Sequence, residues 1–233
     1  MSAMSTTCWT ARCSCTSNHR FVLARCSENA YNGVVEAALP TNSPRLLLAR
    51  FISIALHPFL TFPLSVAFAS RALGLSDRVA AIVSGVLALS IVFSAVYTLV
   101  QVRRGEFSNI DVSTREQRPR FYAVLIGSTL CCAGVFYALN LPHAVIRGSL
   151  ISSGLLLACF VVNFRIKASL HVAYTVFPIA VVWQSVPFDA RVFLVLIVPA
   201  MIWSRVTMGR HTLHETVAGA TLATVAGIVL NLG

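Results

Sequence analysis

The chain has 233 residues, 57% of them hydrophobic and only 11% charged, with a mean hydropathy of +0.78. A soluble domain carries about 25% charged residues, so this composition excludes an ordinary soluble fold and points to a membrane protein. The net charge of +10 comes from 18 basic against 8 acidic residues, but no basic, aromatic-interleaved soluble domain exists to carry a nucleic acid.

Residues 1–44 differ from all that follow. They are rich in Ser, Thr, Cys and Arg, and Glu28 is the first acid. With Arg12, Arg20 and Arg25 as basic residues, the stretch has the composition of a transit peptide for a plastid or mitochondrion. An unstructured tail is the alternative. Cys8, Cys13, Cys15 and Cys26 lie there, while Cys131, Cys132 and Cys159 lie in apolar runs and act as small apolar residues. Neither metal-finger spacing nor a disulfide framework follows.

From residue 45 to 233 the chain is a single transmembrane domain. A membrane span takes ~20 apolar residues, and seven runs approach that length: about 47–70, 79–102, 121–141, 144–164, 170–187, 190–205 and 212–232. The sixth is short and contains Pro199. The fold class expected is therefore all-α: a polytopic transmembrane helical bundle of six to seven spans. Tyr122 and Trp203 fall near span ends, where aromatic belts are expected. Gly219 and Gly227, with the alanines around them, suit close helix packing in the last span.

Three joining segments break the apolar pattern: 103–120, 165–171 and 204–215. The other connections carry only one or two arginines each. Counting spans places all three polar segments on one side. The first follows span two, the second follows the return through spans three and four, and the third follows spans five and six. The active site is therefore expected at one membrane face. Polar residues at such a place form a functional-site hypothesis by default, against the plainer reading that 204–215 merely caps a helix.

Pooled, the three segments supply Arg115, Arg118, Lys167, Arg205 and Arg210 as cations and Ser169 as a hydroxyl donor. They also supply His171, His211 and Glu215. Converging guanidinium groups suit a phosphate. If the chain is helical from His211 onward, Glu215 lies on the same face and orients the imidazole. That marks His211 as nucleophile and leaves His171 as proton donor. The chemistry expected is phosphoryl transfer through a phosphohistidine, with no metal and no cofactor.

Ser204-Arg205, five residues, His211, three residues and then the acid at 215 resembles the third signature motif of the type 2 phosphatidic acid phosphatase superfamily. Lys167-Ala168-Ser169-Leu170-His171 is similar to its second motif, and Arg118-Pro119 to the end of its first. The resemblance covers about 103–215 in the right order. It implies that His211 attacks phosphorus, Glu215 orients it and His171 protonates the leaving alcohol. Arg118, Ser169 and Arg205 would hold the phosphate oxygens. The substrate implied is a lipid phosphate or prenyl diphosphate presented by the bilayer. Three positions depart from the pattern. Asp111 stands where the first motif has lysine, leaving Arg115 or Lys167 to supply that cation. Leu170 replaces the glycine of the second motif, and Glu215 replaces an aspartate.

His214 points about 100° away from Glu215 on a helix, which favours a structural role. His57 stands alone beside Pro58 and reads as a packed or hydrogen-bonded histidine. Two rivals remain. One is a metal enzyme using His211, His214 and Glu215. The other is a non-catalytic binder of anionic lipid headgroups, or a transporter.

Overall fold

A computed structural model describes residues 43–110, 112 and 114–232. Residues 1–42, where the targeting sequence is expected, and Asp111 lie outside the described residues. The described chain is all-α. Eight α-helices run in order: α1 Pro44–Ala55, α2 Pro58–Ala72, α3 Asp77–Arg103, α4 Arg118–Ala138, α5 His143–Asn163, α6 Leu170–Val182, α7 Phe188–Thr207 and α8 Leu213–Asn231. Short 3₁₀ turns at Arg115–Gln117 and Trp183–Ser185 lead into α4 and out of α6.

Five helices (α3, α5, α7 and α8, and α4 with its 3₁₀ turn) are long and apolar enough to cross a bilayer. The first and fifth apolar runs differ from the simple spans expected of them. The first breaks at His57-Pro58 into α1 and α2, bent by 42°. Pro58 lacks a backbone N–H, and its ring disfavours helical geometry at the residue before it. His57 accordingly adopts an extended ψ of 134° and caps α2, its Nδ1 accepting the Phe59 N–H at 3.2 Å. The hydrogen-bonded histidine expected there is found. The fifth run forms only the 13 residues of α6, a rod of about 20 Å at 1.5 Å per residue. It needs no lipid-spanning length, because α2, α7 and α8 surround it and Val172, Ala173 and Phe177 are buried. The sixth run is longer than expected, with α7 continuing through Pro199 for 20 residues.

α6 packs closely on α8. A Cβ added at Gly219 would stand 2.5 Å from the Ser169 carbonyl oxygen, and one at Gly227 would stand 2.5 Å from the Ala180 Cβ. With Ala223 buried between them, the three small residues fall every four positions along one face, the spacing that lets helix backbones approach. The close packing expected of Gly219 and Gly227 is present. Tyr122 corrects the belt expectation: it is fully buried, facing the bundle interior and stacked obliquely on Phe160.

Candidate active site

The three polar segments meet at the ends of α4 to α8. Arg118, the first residue of α4, is buried and ties the segments together. Its Nε donates to the Val112 carbonyl at 3.1 Å, and its Nη1 donates to Asn163 Oδ1 at 3.1 Å and to the Ala168 carbonyl at 3.3 Å. Val112 takes a φ of 44° there, which is unusual for a β-branched residue. Arg115 sits exposed one 3₁₀ turn earlier, its Nε donating to the Asn163 carbonyl at 2.9 Å. It thus fastens the end of α5; Arg115, Lys167 and Ser169 are not among the side chains that line the cavity described below.

Ser169 is the N-cap of α6. Such a serine ordinarily accepts a hydrogen bond from the first turn of its helix. Here it makes no side-chain cap bond, and its fully buried Oγ has no partner among the described residues. A buried orphan hydroxyl calls for an explanation, and a ligand is one. The Ser169 backbone is held elsewhere: its N–H donates to the Glu215 carbonyl at 3.0 Å. Lys167, half-buried just before it, donates from Nζ to the Arg210 carbonyl at 3.4 Å.

The link from α7 to α8 explains why the third segment has its spacing. Gly209 adopts a left-handed φ of 66°. Its N–H donates to the Val206 carbonyl at 3.0 Å, and the Arg210 N–H donates to the Arg205 carbonyl at 3.1 Å. This is a Schellman ending, which glycine allows at no steric cost. It turns the chain inward so that His211 is buried directly after it. Arg205, also buried, donates from Nη1 to Ser53 Oγ of α1 at 3.1 Å, and Ser204 Oγ donates to the Ala49 carbonyl at 2.6 Å.

His211 is not helical, contrary to the geometry expected for its contact with Glu215. The helix begins at Leu213 with Thr212 as N-cap. A capping box brings the carboxylate back instead: Glu215 N–H donates to Thr212 Oγ1 at 3.4 Å, and Glu215 Oε2 accepts the Thr212 N–H at 3.0 Å. The same Oε2 lies 3.0 Å from His211 Nδ1. Capping and imidazole orientation are therefore one structure, not rival accounts.

Burial pushes the His211 imidazole down to about 4, against a rise from its bond to Glu215 and with further lowering by Arg205, Arg118 and Lys167. The ring is thus neutral at pH 7. Its Nδ1–H donates to the carboxylate, which leaves the Nε2 lone pair available. Three cations, Arg205, Arg118 and Lys167, therefore act on one buried neutral imidazole.

His171, in the first turn of α6, lines one cavity with Arg118, Arg205 and His211. His57 lines it too, its ring edge-to-face with His171 at 4.8 Å. Sequence reasoning left His57 outside the site, and only the break at Pro58 carries it there. Tyr122 also borders the cavity, its buried hydroxyl without a partner among the described residues. Leu170 is part of the wall, and His214 is exposed. Among the described residues no three His, Cys, Asp or Glu side chains gather as a metal-ligand set.

Comparison with known proteins adds nothing: no family model, curated protein or solved structure matches the chain. What the fold defines is a helical membrane protein.

The Gly219 contact gives a direct test of how tightly the segments are held. Gly219→Ala places a methyl against the Ser169 backbone, an overpacking that costs about 1–3 kcal/mol. It should lower the melting temperature and displace Ser169 from Glu215. Gly85→Ala, inside α3 where nothing lies within 4 Å of an added Cβ, should hold or raise the melting temperature. Equal melting of the two variants in detergent would contradict the contact.

Proposed function

We propose that this protein is an integral-membrane phosphatase that hydrolyses a lipid phosphate or prenyl diphosphate through a phosphohistidine. The observation that carries the proposal is the buried His211 imidazole paired with Glu215, under the charge of Arg118, Arg205 and Lys167, together with the orphan hydroxyl of Ser169. The likeness of the three segments to the motifs of type 2 phosphatidic acid phosphatases supports the same chemistry.

In the first step His211 Nε2 attacks phosphorus and the bond to the lipid oxygen breaks. The leaving oxygen, an alkoxide from a lipid phosphate or the inner phosphate from a prenyl diphosphate, takes a proton from His171. Glu215 balances the charge that develops on the imidazole. In the second step water attacks the phosphohistidine, His171 accepts its proton, and inorganic phosphate leaves with His211 restored. Arg118, Arg205, Lys167 and the Ser169 hydroxyl neutralise the phosphoryl oxygens, which is where such reactions gain most.

The test is phosphate release from a panel of lipid phosphates and prenyl diphosphates by the purified full-length chain in detergent, with chelator present. An acid-labile phosphoprotein formed during turnover supports the intermediate. Binding of these lipids with no release from any of them would assign the site to headgroup binding instead.

The pH dependence has a definite sign. His211 attacks only as neutral imidazole, so its acidic limb in kcat/KM lies near pH 4, well below an ordinary histidine. Lys167→Met removes one of the positive charges holding it down. Protonation becomes easier, and the limb moves up in pH. Comparing the two profiles on one substrate cancels the ionisation of the substrate itself. A limb that stays fixed or moves down would show that Lys167 does not act on His211.

A further inference from the structure

We infer that the cavity leading inward from the phosphate site holds a single hydrocarbon chain, and that Phe62 and Leu87 set the length it accepts. The inference rests on reading Arg118, Arg205 and His211 as the headgroup end, and it goes further in naming the rest of the ligand.

The cavity that opens at His211, Arg205, Arg118 and His171 has a volume of about 400 Å³. Beyond those residues its wall is made by α2 to α6, with Phe59, Phe62, Leu87, Ile91, Leu125 and Leu156 among its side chains. Hydroxyls also border it; that of Tyr122 has no partner among the described residues, but three others are occupied by their own helices. Thr98 donates to the Ser94 carbonyl at 2.8 Å, Ser128 to the Leu125 carbonyl at 3.0 Å and Thr129 to the same carbonyl at 3.1 Å. What they present inward is largely hydrocarbon. An interior that is cationic at one end and apolar along its length fits an amphiphile with one tail.

Volume decides the number of tails. A methylene takes about as much room as a water molecule, ~30 Å³, so 400 Å³ accommodates on the order of a dozen carbons. Both chains of a diacyl lipid need more than twice that. A second cavity of about 220 Å³ continues beyond the first, bordered by Val66, Val83, Phe136 and Val181. Phe62 and Leu87 border both cavities. They therefore form the floor of the first and the partition between the two. Phe62 packs against two rings of α6 that also touch each other: Tyr174 lies edge-on at 5.6 Å and Phe177 is stacked at 6.1 Å. Removing the Phe62 ring joins the cavities and adds room for about seven carbons at ~30 Å³ each.

The test uses single-chain n-alkylphosphonates of 8 to 20 carbons, which carry the headgroup charge and cannot be hydrolysed. Affinity for the full-length protein is measured by thermal stabilisation at fixed mole fraction in detergent micelles, so that transfer from water cancels along the series. The expected result is an optimum near a dozen carbons, with a fall of about tenfold or more for chains that overfill the cavity. In Phe62→Ala the optimum moves to longer chains. Leu87→Ala, at the same partition, does the same and serves if the Phe62 variant does not fold. A parent protein without an optimum overturns the inference. So does an optimum that neither variant moves, or a dialkyl phosphate that binds as well as the best single chain. Because binding is read without turnover, absence of phosphate release would count against the phosphatase reading and leave this one standing. A lysolipid phosphate and a prenyl monophosphate of matched length then distinguish the two natural sources of such a chain.

Discussion

Replacing His211 with alanine is expected to abolish phosphate release, lowering kcat by about 10⁴-fold or more, as loss of a nucleophile does in other covalent enzymes. The reason lies in how little else could take its place. His171 lines the same cavity, but in this mechanism it carries the proton for the leaving oxygen and so cannot also attack. The cations would still bind a lipid phosphate, so affinity should change by far less than turnover. Folding should also survive, because Glu215 keeps its bond to the Thr212 N–H and the α8 cap stays in place. A matched melting curve and lipid affinity make the loss chemical. The parent would also form an acid-labile phosphoprotein that the variant cannot. Release within tenfold of the parent would end the phosphohistidine reading.

The architecture was legible because bilayer thickness constrains it: a chain this apolar must bundle helices, and the runs show where. What the runs could not show is how a helix is bounded. The run at 47–70 reads as one span by hydropathy, yet one proline divides it and so puts His57 against His171. The run at 170–187 reads as a marginal span, yet α6 is short because other helices shelter it. The polar segments were legible for the converse reason, since charge in a greasy chain has few places to go. Their contacts depend on turns that hydropathy does not register. Gly209 buries His211 by ending α7 in a left-handed turn, and a capping box, not a helical turn, brings Glu215 to its ring. The Tyr122 position near a span end suggested a lipid-facing belt, but the direction a side chain takes around a helix depends on which neighbours pack there. The floor at Phe62 and Leu87 belongs to the same class of fact, being set by tertiary packing alone.

Glu215→Gln separates the two things that this carboxylate does. Glutamine at the third helical position can still accept the Thr212 N–H, so the capping box and the start of α8 are retained. Its carbonyl oxygen can also accept from His211 Nδ1. What disappears is the negative charge beside an imidazole that becomes cationic when it attacks. The side-chain amide can also turn its N–H₂ toward the ring and favour the wrong tautomer, as an amide does when it replaces the acid of a catalytic triad, where the cost is about 10⁴-fold. The expected result is a melting temperature close to that of the parent and a loss of turnover of about 10²–10⁴-fold. Aspartate at 215, shorter by one methylene, keeps the charge and should recover part of the rate. If Glu215 only capped the helix, Glu215→Gln would turn over within a few-fold of the parent, and Glu215→Ala would lose stability and activity together. The order of rates Glu, Asp, Gln, with stability nearly constant between Glu and Gln, is what an orienting carboxylate requires.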